Sequence, residues 1–188
     1  MNIGFFIAII FAIMEKYKLT ENRERNGKAM TYVWHPGSMP EGIPVHQVYG
    51  FSLSPSGLIA LVRDKGEERF TPPGGGVESG ETALQGLVRE FKEEAQFEPL
   101  DIRLLGSLEI INPSGEKEID RHNLQVRFVC TTGKLDAFVP LKDGFEVEER
   151  IFVHYRDLPK YVGFIDKYTT GKMQFDMLCD HIEGKLSL

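Results

Sequence analysis

Three glutamates, Glu90, Glu93 and Glu94, have the types and spacing that most directly imply chemistry. They fall at i, i+3 and i+4 within a segment of helical periodicity over 82–95, so their carboxylates share one side of a helix. Like charges at that spacing cost about 0.2–0.5 kcal/mol per pair. They also occupy the second half of the helix, where the macrodipole disfavours negative charge. Selection for stability alone would not produce this arrangement, but a bound divalent cation reverses the sign of the cost. Hard oxygen ligands suit Mg²⁺, with Mn²⁺ as the alternative ion, and water and substrate phosphate complete the coordination. Taken alone, the helix is better explained by a solvated acidic face.

The preceding loop changes that balance. Thr71-Pro72-Pro73-Gly74-Gly75-Gly76 runs directly into the helix. Consecutive glycines let the backbone approach a ligand closely, and the two prolines stiffen the entry. A backbone carbonyl from such a loop can join carboxylates on a metal. Glu81 stands near the helix N-terminus, where the dipole favours a carboxylate. Arg89 follows eight residues later on roughly the same side, so its fork can hold Glu81 and fix the loop against the helix. That pair is assigned an architectural role.

Residues 75–97, GGVESGETALQGLVREFKEEAQF, resemble the Nudix box, G-x5-E-x7-R-E-U-x-E-E-x-G-U, in which U is a bulky apolar residue. Gly75, Glu81, Arg89, Glu90, Phe91, Glu93, Glu94 and Phe97 match in type and spacing. Gln96 replaces the family's glycine at the helix end, where a left-handed residue is usual; a cost in stability or a shifted cap is expected there. The resemblance implies an α/β/α sandwich with a mixed sheet, in the α+β class. It further implies hydrolysis of a nucleoside diphosphate linked to another moiety, such as a nucleoside triphosphate or ADP-ribose. Glu90, Glu93 and Glu94 would hold Mg²⁺ with the Gly75 carbonyl as a further ligand, and Glu94 is the first choice of general base. Some family members draw the base from a later loop, which makes Glu146 and Glu149 in 143–150 further candidates. The alternative reading is a Nudix-like binding or regulatory module that does not cut its nucleotide. Pro113, sixteen residues after Phe97, matches a position seen in ADP-ribose-cleaving members, but it also lies in a turn-forming run. Tyr49, Phe51 and Phe70 are candidates for stacking on a base.

The remaining chain must position this box. Residues 45–53 and 57–63 read as strands joined by Ser54-Pro55-Ser56, a hairpin. Residues 102–111, 123–131 and 150–155 read as further strands, and 172–186 as a closing helix with Phe175, Leu178 and Ile182 on one face. Leu84, Leu87, Val88 and Phe91 form the apolar stripe of the box helix. Antiparallel pairs with two helices indicate α+β layers.

The chain has 188 residues and a net charge of −6, which argues against a nucleic-acid-wrapping surface; the resemblance implies a small nucleotide as the partner, and a monomer or homodimer is expected. Its two cysteines, outside any zinc spacing, indicate a reducing, cytoplasmic setting. Residues 3–14 are uniformly apolar but span only about 18 Å as a helix against roughly 30 Å of bilayer. They are read as a packed helix or an extension ahead of the true start, in preference to a membrane anchor, with Met14 and Met30 as alternative starts. Residues 15–30 are polar and read as a linker or solvated helix. The Nudix-like domain is accordingly placed at 31–188, after a 1–30 appendage.

Overall fold

The computed structural model describes residues 14–135, 137–140 and 147–188. The apolar run therefore lies outside the described residues except for Met14, and so does Glu146. The strands are β1 (Leu19–Arg25), β2 (Lys28–Pro36), β3 (Val45–Leu53), β4 (Leu58–Asp64), β5 (Gly74–Gly76), β6 (Pro99–Ile111), β7 (His122–Thr132) and β8 (Val147–His154). The helices are α1 (Ala83–Glu90), α2 (Glu118–Arg121), α3 (Leu158–Tyr161), α4 (Gly163–Lys167) and α5 (Thr169–Ile182). A π turn, Phe91–Ala95, continues α1.

The strands form one mixed sheet in the order β1-β2-β6-β7-β3-β4-β8. The β3–β7 pair is parallel and the other pairs are antiparallel. At β3 the sheet forks. Its first half pairs with β5, from Gln47↔Gly76 to Tyr49↔Gly74. Its end meets β4 at Leu53↔Ile59 only. The hairpin expected from Ser54-Pro55-Ser56 is thus present but splayed, and the split leaves room for the glycine loop to enter the sheet.

Side chains alternate across the strands into two cores. Val48, Val126 and Phe128 pack with Leu87, Phe91 and Ala95 beneath α1. Trp34, Phe51 and Leu61 pack with Met177 and Leu178 beneath α5. Helices therefore cover both faces, as an α/β/α sandwich requires. Each fully buried Leu or Phe contributes roughly 1.5–3 kcal/mol, so Leu87 and Phe91 hold α1 down strongly. Two details of the expected α1 stripe change: Leu84 is 48% exposed, and Glu90 is 8% exposed, almost as buried as the apolar residues beside it. Phe51 is core, and Phe70 packs edge-on against Tyr161, so neither stands open as a stacking surface.

The linker reading of 15–30 is overturned over most of its length. Strands β1 and β2 form a hairpin whose turn residues Asn26 and Gly27 both have positive φ, 53° and 73°. An Asn-Gly pair suits a turn of that hand. β2 then pairs with β6, so this segment belongs to the main sheet. Tyr17 is buried and donates its hydroxyl proton to Asp180 of α5. Glu21 accepts from the Thr169 and Thr170 backbone N–H groups and the Thr170 hydroxyl, satisfying donors at the start of α5. Among the described residues, no helix is long and apolar enough to cross a membrane.

A chain beginning at Met30 loses β1, Tyr17 and the Glu21 cap. Its thermal unfolding midpoint is expected to fall by roughly 5–10 °C, corresponding to 2–3 kcal/mol in a domain of this size. An unchanged midpoint would show that the edge hairpin contributes nothing to the core.

Candidate active site

The glycine loop is fixed on both sides. Thr71 and Val62 exchange backbone hydrogen bonds, Gly50 N–H donates to the Pro73 carbonyl, and Val77 N–H donates to the His46 carbonyl. Gly74 has φ 151°, and a Cβ there would lie 2.1 Å from the Val48 carbonyl oxygen. A Cβ on Gly75 would lie 2.6 Å from Glu90 Oε1. Only a bare backbone fits between β3 and the Glu90 carboxylate.

Helix α1 starts on a capping box: Thr82 Oγ1 accepts from Gln85 N–H, and Gln85 Oε1 accepts from Thr82 N–H. The structure widens the expected continuous α-helix into a π turn over the FKEEA segment, a local form often found at functional sites. The turn keeps Phe91 and Ala95 in the core, with Phe97 edge-on to Phe91. It ends at Gln96, whose φ of 55° and ψ of 42° are left-handed. The helix thus ends where a family glycine would, in the conformation such a glycine would adopt. The Gln96 side-chain amide offsets part of the cost by pairing with Val139, donating to its carbonyl and accepting from its N–H. Arg150 donates to the Ala95 carbonyl, placing a cation at the C-terminal end of the helix.

Arg89 is the hub. Its Nε and Nη2 grip Glu81 as a fork, at 2.9 Å and 3.0 Å. Nη2 also donates to the Gly76 carbonyl at 2.7 Å. Nη1 donates to Glu90 Oε1 at 2.8 Å and to Glu93 Oε2 at 3.1 Å. The hydrogen bonds from Arg89 and Glu78 N–H hold the Glu81 carboxyl below its ordinary range. Burial pushes Glu90 up, and Arg89 opposes that shift. Glu94 stands apart, accepting the Gly74 N–H at 2.8 Å. Burial is the main cause that pushes its carboxyl up to about 8, with Glu90, Asp64 and Glu93 adding repulsion.

The three predicted carboxylates are close neighbours, yet they do not form a ready-made cage. Among the described residues, no three His, Cys, Asp or Glu side chains are gathered into a metal cluster. Glu90 and Glu93 turn to Arg89, and Glu94 turns to Gly74. Three carboxylates, those of Glu81, Glu90 and Glu93, nevertheless surround a single guanidinium, with Glu94 close by, against a loop where a side chain would have no space. The charge excess and hard oxygen donors fit a divalent cation. Glu149 is engaged by Arg63 Nη2 at 2.7 Å across the β4–β8 pair. Pro113 is exposed in a turn capped by Asn112. Cys130 and Cys179 are free, and burial pushes the Cys130 thiol up to about 12. Sequence reasoning missed Asp64, whose charge reaches Glu94 from the end of β4; a strand-end aspartate carries no signal of its own.

A NUDIX domain model matches residues 47–170. An ADP-ribose pyrophosphatase of Methanocaldococcus jannaschii is 28% identical over 150 residues, 78% of each chain. An RNA pyrophosphohydrolase of Halorhodospira halophila is 41% identical over 51 residues, 27% of this chain and 28% of that protein. The crystal structure of a Bacillus subtilis pyrophosphohydrolase superposes with a TM-score of 0.63 at 20% identity, covering 86% of this chain and 97% of that one. The chain belongs to the Nudix family.

Two measurements check this geometry. The folded Glu94 carboxyl retains a proton that the unfolded chain releases above its ordinary value of 4.5. Its contribution to the stability of the metal-free protein therefore falls as pH rises from about 4.5 to about 8. Glu94→Gln is expected to remove that slope and raise the melting midpoint at pH 8 by about 2–4 °C or more; an unaltered slope would contradict the assignment. At the helix end, Gln96→Ala should be roughly 1 kcal/mol less stable than Gln96→Gly, because both lose the Val139 pairing but only alanine keeps the left-handed strain. Equal denaturation midpoints would show that the backbone is not strained there.

Proposed function

We propose that this Nudix pyrophosphohydrolase uses Mg²⁺ to cut a phosphoanhydride bond in a nucleoside diphosphate linked to another moiety. The observation that carries the reading is the carboxylate cluster around Arg89, packed against the side-chain-free Gly75 backbone. A divalent cation held by Glu90, Glu93, Glu94 and the Gly75 carbonyl would neutralise the pyrophosphate and acidify the attacking water.

The chain's own residues do the rest. Arg89 orients Glu90 and Glu93 and, through Glu81 and Gly76, fixes the loop relative to the helix. Glu94 is anchored by Gly74 N–H through one oxygen, which leaves the other to accept a proton from water. Glu149, already engaged by Arg63, is the poorer base. Glu146 remains the rival outside the described residues. The two free thiols support a reducing, cytoplasmic setting. The names of the matched relatives put RNA and ADP-ribose on the substrate panel, beside nucleoside triphosphates.

The test is hydrolysis of that panel with and without Mg²⁺. Turnover is expected only with the ion. Glu94→Gln should lower kcat by about 10²–10⁴-fold, the usual worth of a positioned base, while Glu149→Ala stays within about twofold of the wild type. A larger loss in Glu146→Gln than in Glu94→Gln would move the base to the later loop. Nucleotide that binds and survives intact on every panel member would make the protein a sensor.

A further inference from the structure

A second site lies across Tyr49 from the carboxylates. Tyr49 pairs with Gly74 on one side and with Arg127 of β7 on the other. The Tyr49 phenol is pushed up mainly by burial, with Glu94 and Glu90 adding to the shift and Arg127 opposing it, so the ring feels both charge clusters. Beyond it opens a cavity of about 480 Å³, bounded by Pro72 of the glycine loop and by α4 and α5.

The walls of this cavity are unusual for a chain of net charge −6. Arg23, Arg25, Arg127 and Lys167 all line it, and among the described residues no aspartate or glutamate does. Arg127 is 4% exposed. Its Nη2 donates to Gln125 Oε1, while Nε and Nη1 have no hydrogen-bond partner among the described residues. Burial without a carboxylate counterion pulls its pKa down to about 10. Arg23 is sandwiched between the rings of Tyr32 and Tyr168, 3.5 Å and 3.6 Å from their centroids. Its Nε and Nη1 are also buried without a hydrogen-bond partner among the described residues. The nearest acid, Glu21, is 4.0 Å from Arg23 Nη1 and already accepts from Thr169 and Thr170. A buried guanidinium with unsatisfied N–H groups is costly, so Arg127, together with the two unbonded nitrogens of Arg23 beyond its 4.0 Å ion pair with Glu21, is suited to meet an anion. Planar N–H forks match the oxygens of phosphate.

We propose that this cavity is a phosphate-binding subsite, in which Arg127 and Arg23 hold a phosphate group other than the one presented to the Glu90–Glu94 face, with Lys167 at the mouth. As a substrate subsite it rests on the pyrophosphohydrolase reading and narrows the substrate to a nucleotide that carries a phosphate on the far side of Tyr49. A free phosphate ion is the other source of the same chemistry.

The test is run on the whole chain in EDTA, so it does not depend on turnover. Inorganic phosphate is titrated while arginine Nε–H resonances are followed by ¹H–¹⁵N NMR. Two of them are expected to shift saturably, in the wild type and equally in Glu94→Gln. Arg127→Gln should weaken phosphate binding at least tenfold, and Lys167→Ala, at an exposed position, measurably less. Displacement of phosphate by adenosine 5′-diphosphate assigns the group to the substrate; retention assigns it to the free ion. Should Arg127→Gln fail to fold, the wild-type resonances still decide. No saturable arginine shift, or unchanged affinity in folded Arg127→Gln, overturns the proposal. Hydrolysis lost in Glu94→Gln with phosphate binding intact separates the two readings.

Discussion

The site depends on how one guanidinium is shared. Every N–H of Arg89 is committed: two to Glu81, one to the Gly76 carbonyl, one to Glu90 and one to Glu93. The loop, the helix start and the acidic face are thereby held to a single planar group. Lysine offers the same charge without the fork and could not span these acceptors. The hydrogen bonds that Arg89 donates to Glu81, Glu90 and Glu93 hold its pKa above the ordinary value, so its charge is permanent.

The same arrangement is costly, and the cost is localised. One arginine cannot neutralise Glu81, Glu90, Glu93 and Glu94 together. The excess falls on Glu94, a half-buried carboxylate outside the reach of Arg89. Across Tyr49 the imbalance is reversed, with Arg127 buried, Arg23 half-buried and, among the described residues, no acid lining their cavity. The sheet separates a region short of positive charge from a region short of negative charge, and the shared wall is the strand pair β3–β7. A nucleotide substrate with its cation would supply what each side lacks.

Much of this was legible in the sequence because the box is local. Glu81, Arg89 and the three glutamates lie within one loop and helix, where spacing translates directly into geometry. The π turn was not legible, since FKEEA has ordinary helical composition and the widening follows from packing Phe91, Ala95 and Phe97 on one core. The β1–β2 hairpin was hidden by its charges. Residues such as Glu21, Arg23 and Glu24 are natural on an edge strand, yet they masked an Asn-Gly turn that was in plain view. Arg127 was missed for the opposite reason: it sits among apolar residues of a strand, and only the structure shows that its partner Tyr49 joins it to the site. Gln96 was expected to disturb the helix end, but it adopts the left-handed conformation itself and ties down Val139.

The most direct test of the central role of Arg89 is Mn²⁺ binding to Arg89→Lys, followed by electron paramagnetic resonance, alongside the melting midpoint. If the fork organises the carboxylates, the variant stays folded but binds Mn²⁺ at least tenfold more weakly than the wild type. Equal Mn²⁺ affinity in the folded variant would show that the carboxylates find their places without Arg89, and would contradict the account.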